Sequence, residues 1–188
     1  FLIPLIYFSF KIEFSKIFNL YLIFILICLQ GYIGWYMVSS GLINRIDVSH
    51  FRLSVHLFIA FLILSLIIWN FLKIKEFNKI SHKINPIIPF FFLILIFIQI
   101  VIGAFVSGMD AGKIYNSWPL MGNTYFPNDN NFINLFKLSA FSDPSLVQFI
   151  HRNLAYVIGV SYLIIFYKIY RNRLYDLYKP INILGSFI

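Results

Sequence analysis

The sequence predicts an all-α, polytopic membrane protein built as an antiparallel helix bundle. Three observations carry this reading. Apolar residues make up 60% of the 188-residue chain and charged residues only 12%, whereas soluble domains carry about 25% charged residues. The mean hydropathy is +0.83, and the apolar residues gather in blocks near the length of about 20 residues that a helix needs to cross a bilayer. The two-residue alternation of a membrane barrel is absent. Backbone groups in hydrocarbon must bond within their own segment, so each block reads as a helix.

In chain order, residues 1–10 read as the end of a helix already under way. Four blocks of crossing length follow, at 17–38, 53–72, 87–108 and 147–169. Residues 180–188 read as the start of another helix, so the sequence is expected to be the middle of a longer protein. Short connections make neighbouring helices antiparallel. The exception is 109–146, which is rich in Asn, Asp, Pro and Gly. Its first part carries Tyr115, Trp118 and Tyr125, which suit the aromatic belt at a membrane surface. Order is expected there, while 128–143 stays open.

The net charge of +8 is a topology signal rather than a nucleic-acid surface. Lys11, Lys16, Lys73, Lys75, Lys79, Lys83, Lys168, Arg171, Arg173 and Lys179 fall on one side of the predicted helices. Only Arg45, Arg52, Lys113, Lys137 and Arg152 fall on the other, spread over longer loops. The positive-inside rule places the first set in the cytoplasm or a mitochondrial matrix. Cys28 is the single cysteine, so a disulfide within the chain or a cysteine metal cluster is excluded. It reads as a small buried apolar residue.

Among the histidines, His50 and His82 read as solvated loop residues. His56 and His151 each fall about one turn inside an apolar helix, where an ionisable side chain is costly and marks a functional candidate. His56 has Ala60 four residues on; His151 has Ala155 and Gly159 at four and eight. Residues so spaced share a helix face. Each imidazole therefore looks along small residues, where the edge of a flat ligand such as a porphyrin can approach the backbone.

Arg52 lies one turn outward from His56, and Arg152 follows His151; arginine suits the carboxylates of heme propionates. Gln148, three residues before His151, is placed to orient the ring's other nitrogen. The competing reading is that both histidines simply bond across helices. A zinc site fits less well, because no closed ligand set is present. No phosphate-binding glycine loop and no Ser/His/Asp set is legible. Asp110 is a candidate for a loop cap or a substrate contact. A weak internal echo joins Gln30-Gly-Tyr-Ile-Gly34-Trp-Tyr36 to Gln99-Ile-Val-Ile-Gly103-Ala-Phe105, from duplication or from chance.

Four stretches in order carry a resemblance. They are Gln30-Gly-Tyr-Ile-Gly-Trp-Tyr-Met-Val-Ser-Ser-Gly-Leu42, Arg52-Leu-Ser-Val-His-Leu57, Gly103-Ala-Phe-Val-Ser-Gly-Met-Asp-Ala-Gly112 with Tyr115-Asn-Ser-Trp-Pro-Leu-Met-Gly122, and Val147-Gln-Phe-Ile-His-Arg152. Together they make the chain similar to the heme A synthase family in its proteobacterial and mitochondrial form. The resemblance implies an eight-helix fold of two similar four-helix halves, with residues 1–83 in the first half and 84–188 in the second. It implies that His56 and His151 are axial ligands of heme iron, one in each half. The second ligand of each pair, and the glutamate associated with catalysis, would lie outside this chain. The cysteine pair that some members carry in an outer loop is missing here.

The implied reaction oxidises a methyl group of heme O to the formyl group of heme A, with heme b as cofactor. The implied partners are heme O, membrane lipid, an electron donor, and heme O synthase or cytochrome oxidase assembly factors; no nucleic acid is expected. The implied location is a bacterial plasma membrane or a mitochondrial inner membrane, with the heme sites toward the periplasmic or intermembrane side. A chain holding half of each ligand pair is expected to bind heme weakly or not at all. The rival readings are a diheme b-type electron-transfer protein, disfavoured because both histidines fall near one face, and a membrane transporter or assembly protein with structural histidines.

Overall fold

Helices account for the chain as expected. The computed structural model describes residues 2–11, 14–41, 48–74 and 85–186. Six α-helices follow in order: α1 (Leu2–Ser9), α2 (Phe14–Gly41), α3 (His50–Ile74), α4 (Ile87–Gly108), α5 (Pro144–Arg171) and α6 (Tyr178–Gly185). Among the described residues the only β-type pairing is an isolated bridge between Met121 and Thr124. Four helical stretches are long and apolar enough to cross a membrane: Ile17–Ser39, His50–Lys73, Ile87–Gly108 and Pro144–Arg171. The chain is an all-α, multi-pass membrane protein. Arg45, Lys75, Lys79, His82 and Lys83, read above as loop residues, lie outside the described residues.

The chain divides into two compact units, residues 1–77 and 78–188. In the first, α2 packs on α3 through Ile23, Ile59 and Ile63, with Leu20, Leu26, Ile33 and Leu66 around them. The pairing is antiparallel: Asn19 donates to Asn70 near one end and Gln30 meets His56 toward the other. Such interhelical bonds contribute about 0.6 kcal/mol each in a membrane, so packing supplies most of the association. Outward-facing side chains are apolar too; Ile25 is 61% exposed, Trp35 63% and Trp69 57%. A surface of this kind is stable against hydrocarbon or other helices, not against water.

In the second unit α4 packs antiparallel on α5. Phe92, Leu95 and Ile158 form one buried cluster; Ile102, Phe105 and Val147 form another. After α5 the chain turns through Arg173, which adopts a positive φ of 53°. It returns as α6, where Tyr178 stacks on Tyr170 at 4.2 Å and Asn182 donates to the Tyr170 hydroxyl. Lys168 and Arg171 lie in the last turn of α5, where cations complement the carbonyl ends.

Three helices begin three residues before their apolar blocks: α2 at Phe14, α3 at His50 and α5 at Pro144. His50, expected in a loop, is the first residue of α3 and packs on the Phe51 ring at 4.2 Å. α5 begins at Pro144 because Asp143 caps it: the carboxylate accepts from the backbone N–H of Ser145 and Leu146 and from the Ser145 hydroxyl. Proline at the first helical position has no N–H to satisfy. The early starts put His56 and His151 about two turns inside their helices, counting 1.5 Å per residue.

Burial alone would raise the Asp143 pKa. Hydrogen bonds from Ser145, Asn130 and the Leu146 and Ser145 amides outweigh it and hold the carboxyl below its ordinary value. A depressed folded pKa gives stability that is present above the unfolded value and lost as pH falls through the folded one. Asp143→Ala should therefore cost about 1 kcal/mol at neutral pH, as lost N-caps do. Thermal unfolding in lipid nanodiscs should show that gap closing as the medium is acidified through the carboxylate range.

Candidate heme-ligand sites on two helix hairpins

Each hairpin places one imidazole against the same pair of partners. On α2, Gln30 and Gly34 are four residues apart and share a face; His56 faces them from α3. The Gln30 amide nitrogen lies 3.0 Å from the His56 carbonyl oxygen and 3.1 Å from the ring Nε2. A Cβ on Gly34 would stand 3.1 Å from the ring Cε1. On α4 the pair is Gln99 and Gly103, facing His151 on α5. There the Gln99 amide nitrogen is 3.3 Å from both the His151 carbonyl oxygen and the ring Nε2. A Cβ on Gly103 would stand 3.2 Å from Cε1.

The two echoing stretches of sequence thus do the same job in the two units. Glutamine satisfies one side of the ring, and glycine leaves room for the ring edge. In both hairpins the histidine Nδ1 and the glutamine Oε1 are buried without a hydrogen-bond partner. A buried polar atom left unmatched costs about 1–3 kcal/mol. Two histidines in the same setting, each about two turns into an apolar helix and with an incompletely bonded ring, are candidates for ligating a metal. Among the described residues no group of three or more His, Cys, Asp or Glu side chains could hold a metal ion by itself. A group that takes a single ligand from a hairpin, such as a heme iron at each, fits the donors present. Gly159, on the face expected to run from His151, has nothing within 4 Å of where a Cβ would stand, so the backbone there is open to a flat ligand.

The other residues singled out from sequence have different partners. Gln148, expected to orient the His151 ring, donates to the carbonyl oxygens of Gly112 and Tyr115; the glutamine on the ring is Gln99. Spacing along one helix pointed to Gln148, whereas the actual partner comes from the neighbouring helix. Arg152 donates to the carbonyls of Tyr115 at 2.6 Å and Ser117 at 2.9 Å. The Arg52 guanidinium lies over the Tyr36 ring, 5.0 Å from its centroid. Asp110 takes a left-handed conformation with no side-chain cap. It pairs with Lys113 at 2.9 Å, both side chains largely exposed.

These contacts show what the motif Tyr115–Gly122 does. It is a folded strap fastened to α5 beside His151. The Trp118–Pro119 peptide is cis, and Gly122 has φ 82°, a conformation glycine adopts at no steric cost. Ser117 donates to the Leu120 carbonyl and accepts from the Gly122 N–H. Trp118 donates to the Tyr156 hydroxyl and Tyr125 to Asn153, both partners on α5. Tyr115 donates to Asp129 at 2.9 Å; burial, with the hydrogen bond and charge of Asp129, raises the pKa of its phenol. The stretch 128–143, left open from sequence, winds into two 3₁₀ turns, Phe132–Phe136 and Leu138–Ser142.

Arg152→Lys keeps the charge but loses the planar fork that spans two carbonyls. Losing about 1 kcal/mol of attachment multiplies the opened strap about fivefold. Limited proteolysis within 111–125 should accelerate by that factor while cleavage elsewhere is unchanged.

Comparison with known proteins shows what the chain is similar to. The chain is 49% identical over 177 residues to the heme A synthase of Pelagibacter ubique (strain HTCC1062), covering 93% of this chain and 52% of that protein. It is 44% identical over 169 residues to the heme A synthase of Rickettsia bellii (strain RML369-C), covering 85% and 49%. It is 42% identical over 161 residues to that of Rickettsia felis (strain ATCC VR-1525 / URRWXCal2), covering 81% and 47%. The chain therefore spans about half the length of the curated relatives it matches. No solved structure matches it significantly. Residues 1–184 match the COX15-CtaA family, described as cytochrome oxidase assembly protein, and the chain belongs to that family.

Proposed function

We propose that this chain is part of a heme A synthase, that it contributes one axial ligand to each of two heme sites, and that those ligands are His56 and His151. The observation that carries the proposal is the repeated hairpin. In each unit an imidazole is held by a glutamine and a glycine, with a ring nitrogen left unmatched inside an apolar span. A purely structural histidine would be expected to satisfy both nitrogens across the helix pair.

One site holds heme b as cofactor and the other receives heme O, whose methyl group is oxidised to a formyl group. Bound heme supplies the redox chemistry; this chain supplies ligands, orientation and exclusion of water. The rings sit in apolar helix pairs, and the Tyr115–Gly122 strap covers the end of α5 nearest His151. Arg152 uses two of its five N–H donors on the strap carbonyls, so a propionate reaching it would meet a guanidinium already fixed in place. Arg52, set over Tyr36, has the corresponding role beside His56. The second ligand of each pair and the catalytic carboxylate come from segments beyond this half-length chain. An electron donor is required, and heme O synthase and cytochrome oxidase assembly factors are the natural neighbours. Both sites lie toward the periplasmic or intermembrane side, as the placement of the lysines implies.

The test uses the full-length protein carrying this sequence, purified in detergent, with reduced-minus-oxidised spectra and analysis of extracted hemes. The wild type should show six-coordinate b-type heme, with heme A among the pigments. His56→Ala and His151→Ala should each weaken the heme signal and abolish heme A. A protein that stays heme-free when expressed with ample heme would overturn the ligand assignments.

A further inference from the structure

We propose that Gln30 and Gln99 are positioning residues that set the tautomer of the two histidines, holding the proton on Nδ1 and presenting the lone pair on Nε2. This rests on reading His56 and His151 as ligands of heme iron, and it adds how the rings are prepared for that role.

In each hairpin one terminal atom of the glutamine faces the backbone carbonyl of the histidine, at 3.0 Å for Gln30 and 3.3 Å for Gln99. A carbonyl oxygen only accepts, so the facing atom must be the NH2 group; the reverse orientation would set two acceptors against each other. The same NH2 group faces the ring Nε2, at 3.1 Å in one hairpin and 3.3 Å in the other. An amide NH2 only donates, so Nε2 must be the acceptor. A neutral imidazole whose Nε2 accepts carries its proton on Nδ1. Histidine in water favours the opposite form, with the proton on Nε2, so the glutamine reverses the intrinsic preference.

Glycine completes the clamp. The 3.1 Å and 3.2 Å approaches to the Cβ positions of Gly34 and Gly103 leave no room for a methyl group unless the ring shifts, and the ring is held by the glutamine one turn away. The arrangement recurs in two hairpins in which two of the three intervening residues differ, Gly31-Tyr32-Ile33 in one and Ile100-Val101-Ile102 in the other.

The consequence is specific to metal binding. Iron takes a lone pair, and ligation through Nε2 requires the proton on Nδ1. The ligand-free protein already holds that form; for iron to reach Nε2 the glutamine NH2 must leave the ring, and its bond to the histidine carbonyl is the one it can keep. The arrangement leaves one donor, Nδ1–H, and one acceptor, the glutamine Oε1, unmatched in each hairpin. That unmatched pair makes the ligand-free state a poor final state for the ring.

The tautomer is read directly by 15N NMR of the full-length protein, labelled with 15N-histidine, expressed without heme and reconstituted in lipid. His56 and His151 signals are assigned by their loss in His56→Ala and His151→Ala. In the wild type both rings should show a protonated Nδ1 and an unprotonated Nε2. Gln30→Leu should move the His56 ring alone toward the Nε2-protonated form, and Gln99→Leu the His151 ring alone. A wild-type ring protonated on Nε2 would overturn the proposal without any variant having to fold. Failure of the heme assignment would show instead as absence of hemin binding by the wild type, with the tautomer signals unaffected.

Discussion

The constraint on which this structure depends is the placing of an imidazole inside an apolar helix pair. A polar ring in hydrocarbon needs partners from neighbouring backbone or side chains, and its flat shape needs a gap in the opposing helix. Gln30 with Gly34, and Gln99 with Gly103, meet both needs from one face of one helix. The spacing of four residues puts the hydrogen bond and the gap one turn apart, at the right height for a single ring.

Much of the fold was legible because the physics of a bilayer is simple. Apolar blocks of crossing length leave little choice but helices, and the four predicted segments match the observed spans to within a few residues. The misses lie at helix starts, where the hydrophobic signal fades and a cap decides. Asp143 extends α5 outward by three residues beyond the predicted start. His50, which carries no hydrophobic signal at all, opens α3.

The sites were legible in part. The histidines stood out because ionisable residues are rare in such helices. The echo around Gln30 and Gln99 was visible, but its meaning was not, since nothing in a linear pattern says which residue on the next helix a side chain meets. Local spacing pointed instead to Gln148, whose amide proves to fasten the strap through Gly112 and Tyr115. Arg152 was read for its charge; its fork geometry, which bridges two carbonyls, emerges only when the loop folds over α5. The segment Val147–Arg152 therefore serves three tasks within six residues: core packing by Val147, loop attachment by Gln148 and Arg152, and presentation of the ring by His151.

The central claim is that each hairpin supplies one iron ligand independently of the other. Low-temperature EPR of the oxidised full-length protein, with heme content per chain, tests it most directly. The account predicts low-spin signals from two sites, with His56→Ala and His151→Ala each removing or converting to high spin one set and sparing the other. Unchanged low-spin signals in both variants would contradict it, because the iron would then take its ligands elsewhere.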